Sequence, residues 1–163
     1  MQYNAKAPYK VETHWQIDKV IDGDSIIIKH LFSKSKKEIR LYGLDAPEIK
    51  LNRKMKEDEE KSQLAAHFLL QLGLQSLHFL LEIAPPKTLV TIITETDNYY
   101  DYWNRQLGYV ILPNGVCLNE IILQEGFAKA TLNYYCSKLS EYQTLNRSAQ
   151  MNQKGLYAVV SMF

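Results

Sequence analysis

HWQIDKVIDGDSIIIKHLFSKSKKEIRLYG, residues 14–43, holds three runs of strand character divided by two turn signals. His14 to Ile21 and Asp24 to His30 flank Asp22-Gly23, and Ile26-Ile27-Ile28 is a β-branched run suited to a pleated surface. Glu38 to Gly43 supplies the third strand. The connection Leu31 to Lys37 is mostly polar and basic, as fits an exposed hairpin tip. Three consecutive antiparallel strands are the opening of a small barrel.

Working outward, residues 1–12 read as an N-terminal leader and 13–160 as one domain. Ile49 to Lys56 is a basic loop. The acids Glu57 to Glu60 then open a helix, where negative charge favours the macrodipole. That helix is expected to run to about Glu82 and to end before Pro85-Pro86. Its leucines nearly encircle it, which predicts burial on more than one side. A core role is expected, with a dimer face as the alternative to a monomer.

Lys87 to Glu95 and Arg105 to Leu112 read as two more strands, and Pro113-Asn114-Gly115 as a turn into Val116-Cys117. Asn119 is placed to cap a short helix, Glu120 to Gln124, closed by Gly126. Ser140-Glu-Tyr-Gln143 has the capping-box pattern. It opens a last helix carrying Tyr142, Leu145 and Ala149 and ending at Gly155. The expected class is α+β, mainly β: a five-stranded Greek-key barrel with about three flanking helices.

The chain has 163 residues, 46% hydrophobic and 23% charged, with a formal net charge of +1. A domain this long buries roughly 70% of its unfolded surface and needs no disulfides. Near-neutral charge excludes a generally basic nucleic-acid binder, so such binding has to rest on local patches. Cys117 and Cys136 lack zinc-like spacing and either pair or stay free. No basic region followed by an apolar one opens the chain, so no signal peptide is expected. The most apolar stretch, Leu64 to Ile83, is interrupted by His67, Gln71, Gln75, Ser76 and His78, and no membrane span is expected. His67 and His78 share a helix face without acidic or cysteine partners, so they are not read as ligands.

Chemistry concentrates in two acidic motifs, Asp22-Gly23-Asp24-Ser25 and Arg40-Leu-Tyr-Gly-Leu-Asp45-Ala-Pro47-Glu48. Asp24 begins one strand and Asp45 follows its neighbour, so a hairpin sets them side by side. Two close carboxylates repel unless a cation lies between them, and oxygen ligands favour calcium or magnesium. Arg40 sits between Ile39 and Leu41 and should point with Glu38 and Tyr42, away from those apolar neighbours. Arg105 follows the aromatic loop Tyr99-Tyr100-Asp101-Tyr102-Trp103. A guanidinium grips two phosphate oxygens at once, which lysine cannot do.

These motifs, with Asp101 to Val110 and Leu118 to Lys129, resemble the thermonuclease, or staphylococcal-nuclease-like, family over nearly all of residues 14–158. The resemblance implies an OB-fold barrel and calcium-dependent hydrolysis of DNA and RNA phosphodiesters. It assigns the metal to Asp24, Asp45 and the backbone carbonyl of Ala46, with Asp22 in support. Some members carry threonine where this chain has Ala46; alanine keeps the carbonyl and loses a hydroxyl. Arg40 and Arg105 map onto the phosphate-gripping arginines, and Glu48 onto the glutamate that either takes a proton from water or orients it. Trp103 and Tyr134 are candidate substrate-stacking residues. Lys50, Arg53 and Lys54, in the loop beside the site, are candidates to track the phosphate backbone. Arg40→Ala and Arg105→Ala are each expected nearly to abolish cleavage while leaving the fold intact. The alternative is a non-catalytic OB-fold module that binds nucleic acid or protein.

Overall fold

The structure, a computed structural model, describes residues 8–163. Seven strands and four helices follow in chain order. The strands are β1 (Tyr9–Asp22), β2 (Ser25–His30), β3 (Lys36–Leu41), β4 (Leu44–Asp45), β5 (Leu89–Glu95), β6 (Gln106–Ile111) and β7 (Lys129–Ala130). The helices are α1 (Arg53–Ser62), α2 (Ala66–Ile83), α3 (Leu118–Gln124) and α4 (Leu139–Met151). Of the expected leader, residues 1–7 lie outside the described residues, and Tyr9 to Glu12 instead begin β1, paired with β5.

Five strands close a barrel in the order β1-β2-β3-β6-β5, and β4 pairs with β7 beside it. β3 and β6 run parallel; the other barrel pairs are antiparallel. This is the five-stranded barrel that the strand pattern predicts. β1 serves two neighbours because it bends: its register shifts between Glu12 and Trp15 and again between Ile17 and Asp22. His14, at φ 65°, lies in the first of these bulges, which sharpen local twist and let one strand turn a barrel corner. Ile17, Ile26, Ile28, Ile39, Leu41, Ile92 and Val110 fill the interior.

The single long helix expected between Glu57 and Glu82 is two helices, bent by 104°. α1 starts earlier, at Arg53, because the Asn52 side chain accepts the Met55 N–H at 2.9 Å. The acids therefore lie inside α1 rather than at its start. Gln63, at φ 61°, ends it in the left-handed region. The bend has a packing reason. In one straight helix Met55 and Leu69 would stand about 21 Å apart along the axis. Bent, they enter one cluster with Leu72, Leu156 and Phe163. Burial on α2 is narrower than expected: Leu69, Leu72, Gly73, Ser76 and Leu80 form the fully buried stripe, while Leu74 is exposed.

Two expected caps are also replaced. Cys117, not Asn119, precedes α3, and Asn119 lies inside the helix, fully buried. Its carbonyl accepts the Val110 N–H, and its amide donates to the carbonyls of Tyr42 and Gly108. It thus bolts α3 onto β6 and the end of β3. Lys138 precedes α4, without a side-chain cap, so the capping box does not form. α4 ends at Met151, and Gly155 opens a 3-10 turn, Gly155–Ala158. Both cysteines are buried and free.

Candidate active site

Pairing of β2 with β3 sets Ser25 opposite Arg40, so Asp24 lies beside Leu41, whose N–H it receives at 3.0 Å. Gly43 then turns the chain at φ 74°; a Cβ there would stand 2.6 Å from the Tyr142 ring and 2.9 Å from Cys136 Sγ. Past that turn, Leu44 and Asp45 pair with Ala130 and Lys129 of β7. Asp45 is therefore fixed by a ladder of its own, next to Asp24. The parallel pairing of β6 with β3 carries Arg105, just ahead of Gln106, to the same end of the barrel.

One cleft of about 390 Å³ collects these residues. Asp22, Asp24, Glu38, Arg40, Asp45 and Glu48 line it, with Asn52, Lys54, Trp103, Arg105 and Tyr134. Arg40 is only 2% exposed. Its Nη2 lies 3.2 Å from Asp24 Oδ2 and 3.1 Å from Asp45 Oδ1. Its Nη1 donates to the carbonyls of Leu41 and Leu44 at 3.0 Å. Its guanidinium also lies 3.7 Å from the centre of the Tyr134 ring. Burial works against the Arg40 charge, yet Asp24 and Asp45 hold its pKa above the ordinary arginine value.

These contacts overturn the expectation that Arg40→Ala leaves the fold intact. Truncation would strand two buried carboxylates, and breaking such a pair is strongly destabilising.

Asp24 is further held by the Ala46 N–H at 2.8 Å. Asp22 Oδ1 accepts the Asp24 N–H at 3.1 Å, closing the Asp-Gly-Asp turn. Burial pushes the Asp24 carboxyl up to about 7, with Arg40 opposing and the Asp22 charge reinforcing the rise.

Arg105 is more open, its side chain 26% exposed. Asp101 builds its seat. One carboxylate oxygen accepts the Trp103 and Arg105 N–H groups at 3.0 and 2.8 Å, and the other accepts Arg105 Nε at 2.7 Å. Arg105 Nη1 lies 3.4 Å from Glu38 Oε1, and Nη2 donates to the Tyr134 hydroxyl at 3.4 Å. Both arginines thus converge on Tyr134, one over its ring and one at its hydroxyl. Tyr134, a candidate to stack against substrate, has its ring against Arg40. Asp101 and Glu38 were missed as arginine partners. The spacing Asp-x-x-x-Arg was the available signal for Asp101.

Glu48 accepts from Asn52 Nδ2 and Lys54 Nζ, both at 2.9 Å. Lys54 also lies 3.0 Å from Asp45 Oδ1 and 3.6 Å from Asp58 Oδ2. The basic loop therefore divides. Lys54 turns into the acidic cleft, whereas Lys50 is exposed and does not line it. Arg53 is also exposed, pairs with Glu57 at 3.4 Å, and lines a neighbouring groove. Trp103 is 66% exposed at the cleft margin, with Arg105 5.6 Å from its ring centre.

α2 sets the position of Glu48 from behind. A Cβ on Gly73 would stand 2.4 Å from the Glu48 carbonyl oxygen and 2.7 Å from that of Pro47. Backbone cannot yield as a flexible side chain does. Gly73→Ala is expected to cost about 1–3 kcal/mol, the usual cost of overpacking. It should also displace the Pro47-Glu48 segment. A urea unfolding midpoint equal to wild type would refute this account of the contact.

Among the described residues, no three His, Cys, Asp or Glu side chains form a ready-made metal cage. Two carboxylates that share one Arg40 nitrogen, in a cleft with Asp22 and Glu48, form an oxygen donor set of the kind that suits a hard cation. No single helix among the described residues is long and apolar enough to cross a membrane.

A family model described as staphylococcal nuclease homologue matches residues 38–159. The Asp22-Gly23-Asp24 turn precedes the matched residues and reaches the same cleft through the β2–β3 pairing. No curated protein matches the chain. With the match covering most of its length and the barrel in place, the chain belongs to the staphylococcal nuclease homologue family.

Proposed function

We propose that this protein is a metal-dependent nuclease that hydrolyses phosphodiester bonds of DNA and RNA with little sequence specificity. The observation that carries the reading is the convergence of Arg40 and Arg105 on Tyr134, in the cleft that also holds Asp24, Asp45 and Glu48. A phosphate at the mouth of that cleft meets guanidinium donors on one hand and carboxylates on the other.

Asp24, Asp45 and the Ala46 carbonyl would hold calcium, with Asp22 fixing the Asp24 turn. Bound there, calcium supplies Lewis-acid polarisation of the phosphate. Arg105 grips the phosphoryl oxygens and stabilises the charge that builds on them. Arg40 frames the carboxylates and completes the positive wall. Glu48, presented by Asn52, orients the attacking water or takes its proton. Trp103, exposed beside Arg105, offers a face on which any base can stack, worth about 1–3 kcal/mol and tolerant of sequence.

Purified protein is expected to degrade both plasmid DNA and RNA in calcium, and to stop when a chelator is in excess. Absence of cleavage across several metals and pH values would instead support a non-catalytic module that binds nucleic acid.

A further inference from the structure

Lys54 lines the cleft and has no part in the proposed reaction. It enters from α1, whose first turn is fixed by Asn52: the side-chain oxygen caps Met55 while the amide holds Glu48. That cap aims Lys54 inward. Its Nζ reaches Asp45 Oδ1 at 3.0 Å and Glu48 Oε1 at 2.9 Å. The Asp45 oxygen it takes is the same one that Arg40 Nη2 meets at 3.1 Å. Two cations thus bid for one oxygen of a carboxylate assigned to the metal.

The ammonium also has a second place to go. Asp58, one turn along α1, lies 3.6 Å away. Lys54 stands where the catalytic cleft meets an adjoining groove of about 640 Å³, and it lines both. Arg53, Trp103 and Tyr134 line that groove as well. Nζ therefore has an acceptor on its own helix, within ion-pair reach, besides Asp45 and Glu48.

We propose that Lys54 is a tethered internal cation that competes with a divalent ion for Asp45 and Glu48. Ion entry requires its Nζ to leave them. The inference rests on the calcium assignment made above. Compact, strongly hydrated and carried on a flexible stem, an ammonium is suited to such exchange in a way that a forked guanidinium is not. Lys54 therefore sets how readily the cleft loads, and it releases Glu48 when loading occurs.

Calcium titrated calorimetrically into wild type, Lys54→Met, Lys54→Gln and Lys54→Arg tests this without reference to cleavage. Both neutral variants should bind about ten- to a thousandfold tighter than wild type, the range over which one adjacent charge moves an ionisation equilibrium. Lys54→Arg, which keeps the charge on a group less suited to leave, should bind no more tightly than wild type. Equal or weaker affinity in both neutral variants, with wild type binding calcium, overturns the proposal and leaves the calcium assignment standing. No binding in wild type or in any variant overturns the calcium assignment and the proposal with it.

Discussion

Arg105→Ala is expected to lower kcat by about 10²–10³-fold, the loss seen when one donor to a developing oxyanion is removed. The barrel should remain folded. The side chain is partly open to solvent, and its main anchor does not depend on it alone. Asp101 keeps the N–H groups of residues 103 and 105 whatever side chain stands at 105. What is lost is the ion pair of Nε with Asp101 at 2.7 Å, that with Glu38 at 3.4 Å, and the contacts with Tyr134 and Trp103. Hydrogen bonds to charged groups are typically worth about 1.5–3 kcal/mol net, which a domain of this size can lose and stay folded. Arg105→Lys should recover part of the fold's margin and little of the rate, because an ammonium lacks the fork. Steady-state cleavage of a short labelled oligonucleotide, with circular dichroism melts of the same samples, separates rate from folding. A folded Arg105→Ala protein with near wild-type kcat would rule out Arg105 as a phosphate grip.

The elements that the sequence made legible are those governed by local periodicity. β2 and β3 show their strand character in Ile26 to Ile28 and in Glu38 to Leu41, and their pairing follows from one hairpin. Asp24 lies just before β2 and Asp45 just past β3, in a short ladder of its own, and the hairpin brings both to one cleft. The helix break was not legible. Gln63-Leu64-Ala65 carries no glycine or proline, and the left-handed turn at Gln63 is held by tertiary gain: Met55 and Leu69 bury in one cluster. Lys54 and Lys50 look alike in a basic loop; only the Asn52 cap distinguishes the one that turns inward. Asn119 looked like a cap because asparagine commonly is one. Its bonds to Tyr42 and Gly108 link residues far apart in the chain, which no local pattern records.

Arg40 is the sharpest instance, and it carries the largest expected effect on stability. A charge inside a strand ordinarily faces solvent, and its neighbours in sequence gave no sign of the acceptors gathered around it. Those acceptors come from three places: Asp24 from β2's start, Leu41 and Leu44 from the turn at Gly43, and Asp45 from the ladder with β7. Arg40→Met keeps most of the apolar stem and removes every one of these donors. Two carboxylates are then left with the Ala46 N–H, the Ser25 hydroxyl and Lys54 as compensation. Breaking a buried pair in this way costs about 3–5 kcal/mol, a large share of a typical domain's total stability. Arg40→Lys should fall between, since it restores the charge but cannot serve two carbonyls and two carboxylates at once. Urea unfolding should therefore rank wild type above Arg40→Lys and Arg40→Lys above Arg40→Met, with an unchanged m value. Calcium should raise the midpoint of Arg40→Met, because an ion held by Asp24 and Asp45 in the folded state alone stabilises it by linkage. Cleavage by this variant is expected to fail as well, but its failure would not by itself identify a phosphate grip. The decisive outcome is the unfolding midpoint: if Arg40→Met is as stable as wild type, Arg40 is not the counter-charge that holds the two aspartates in the barrel.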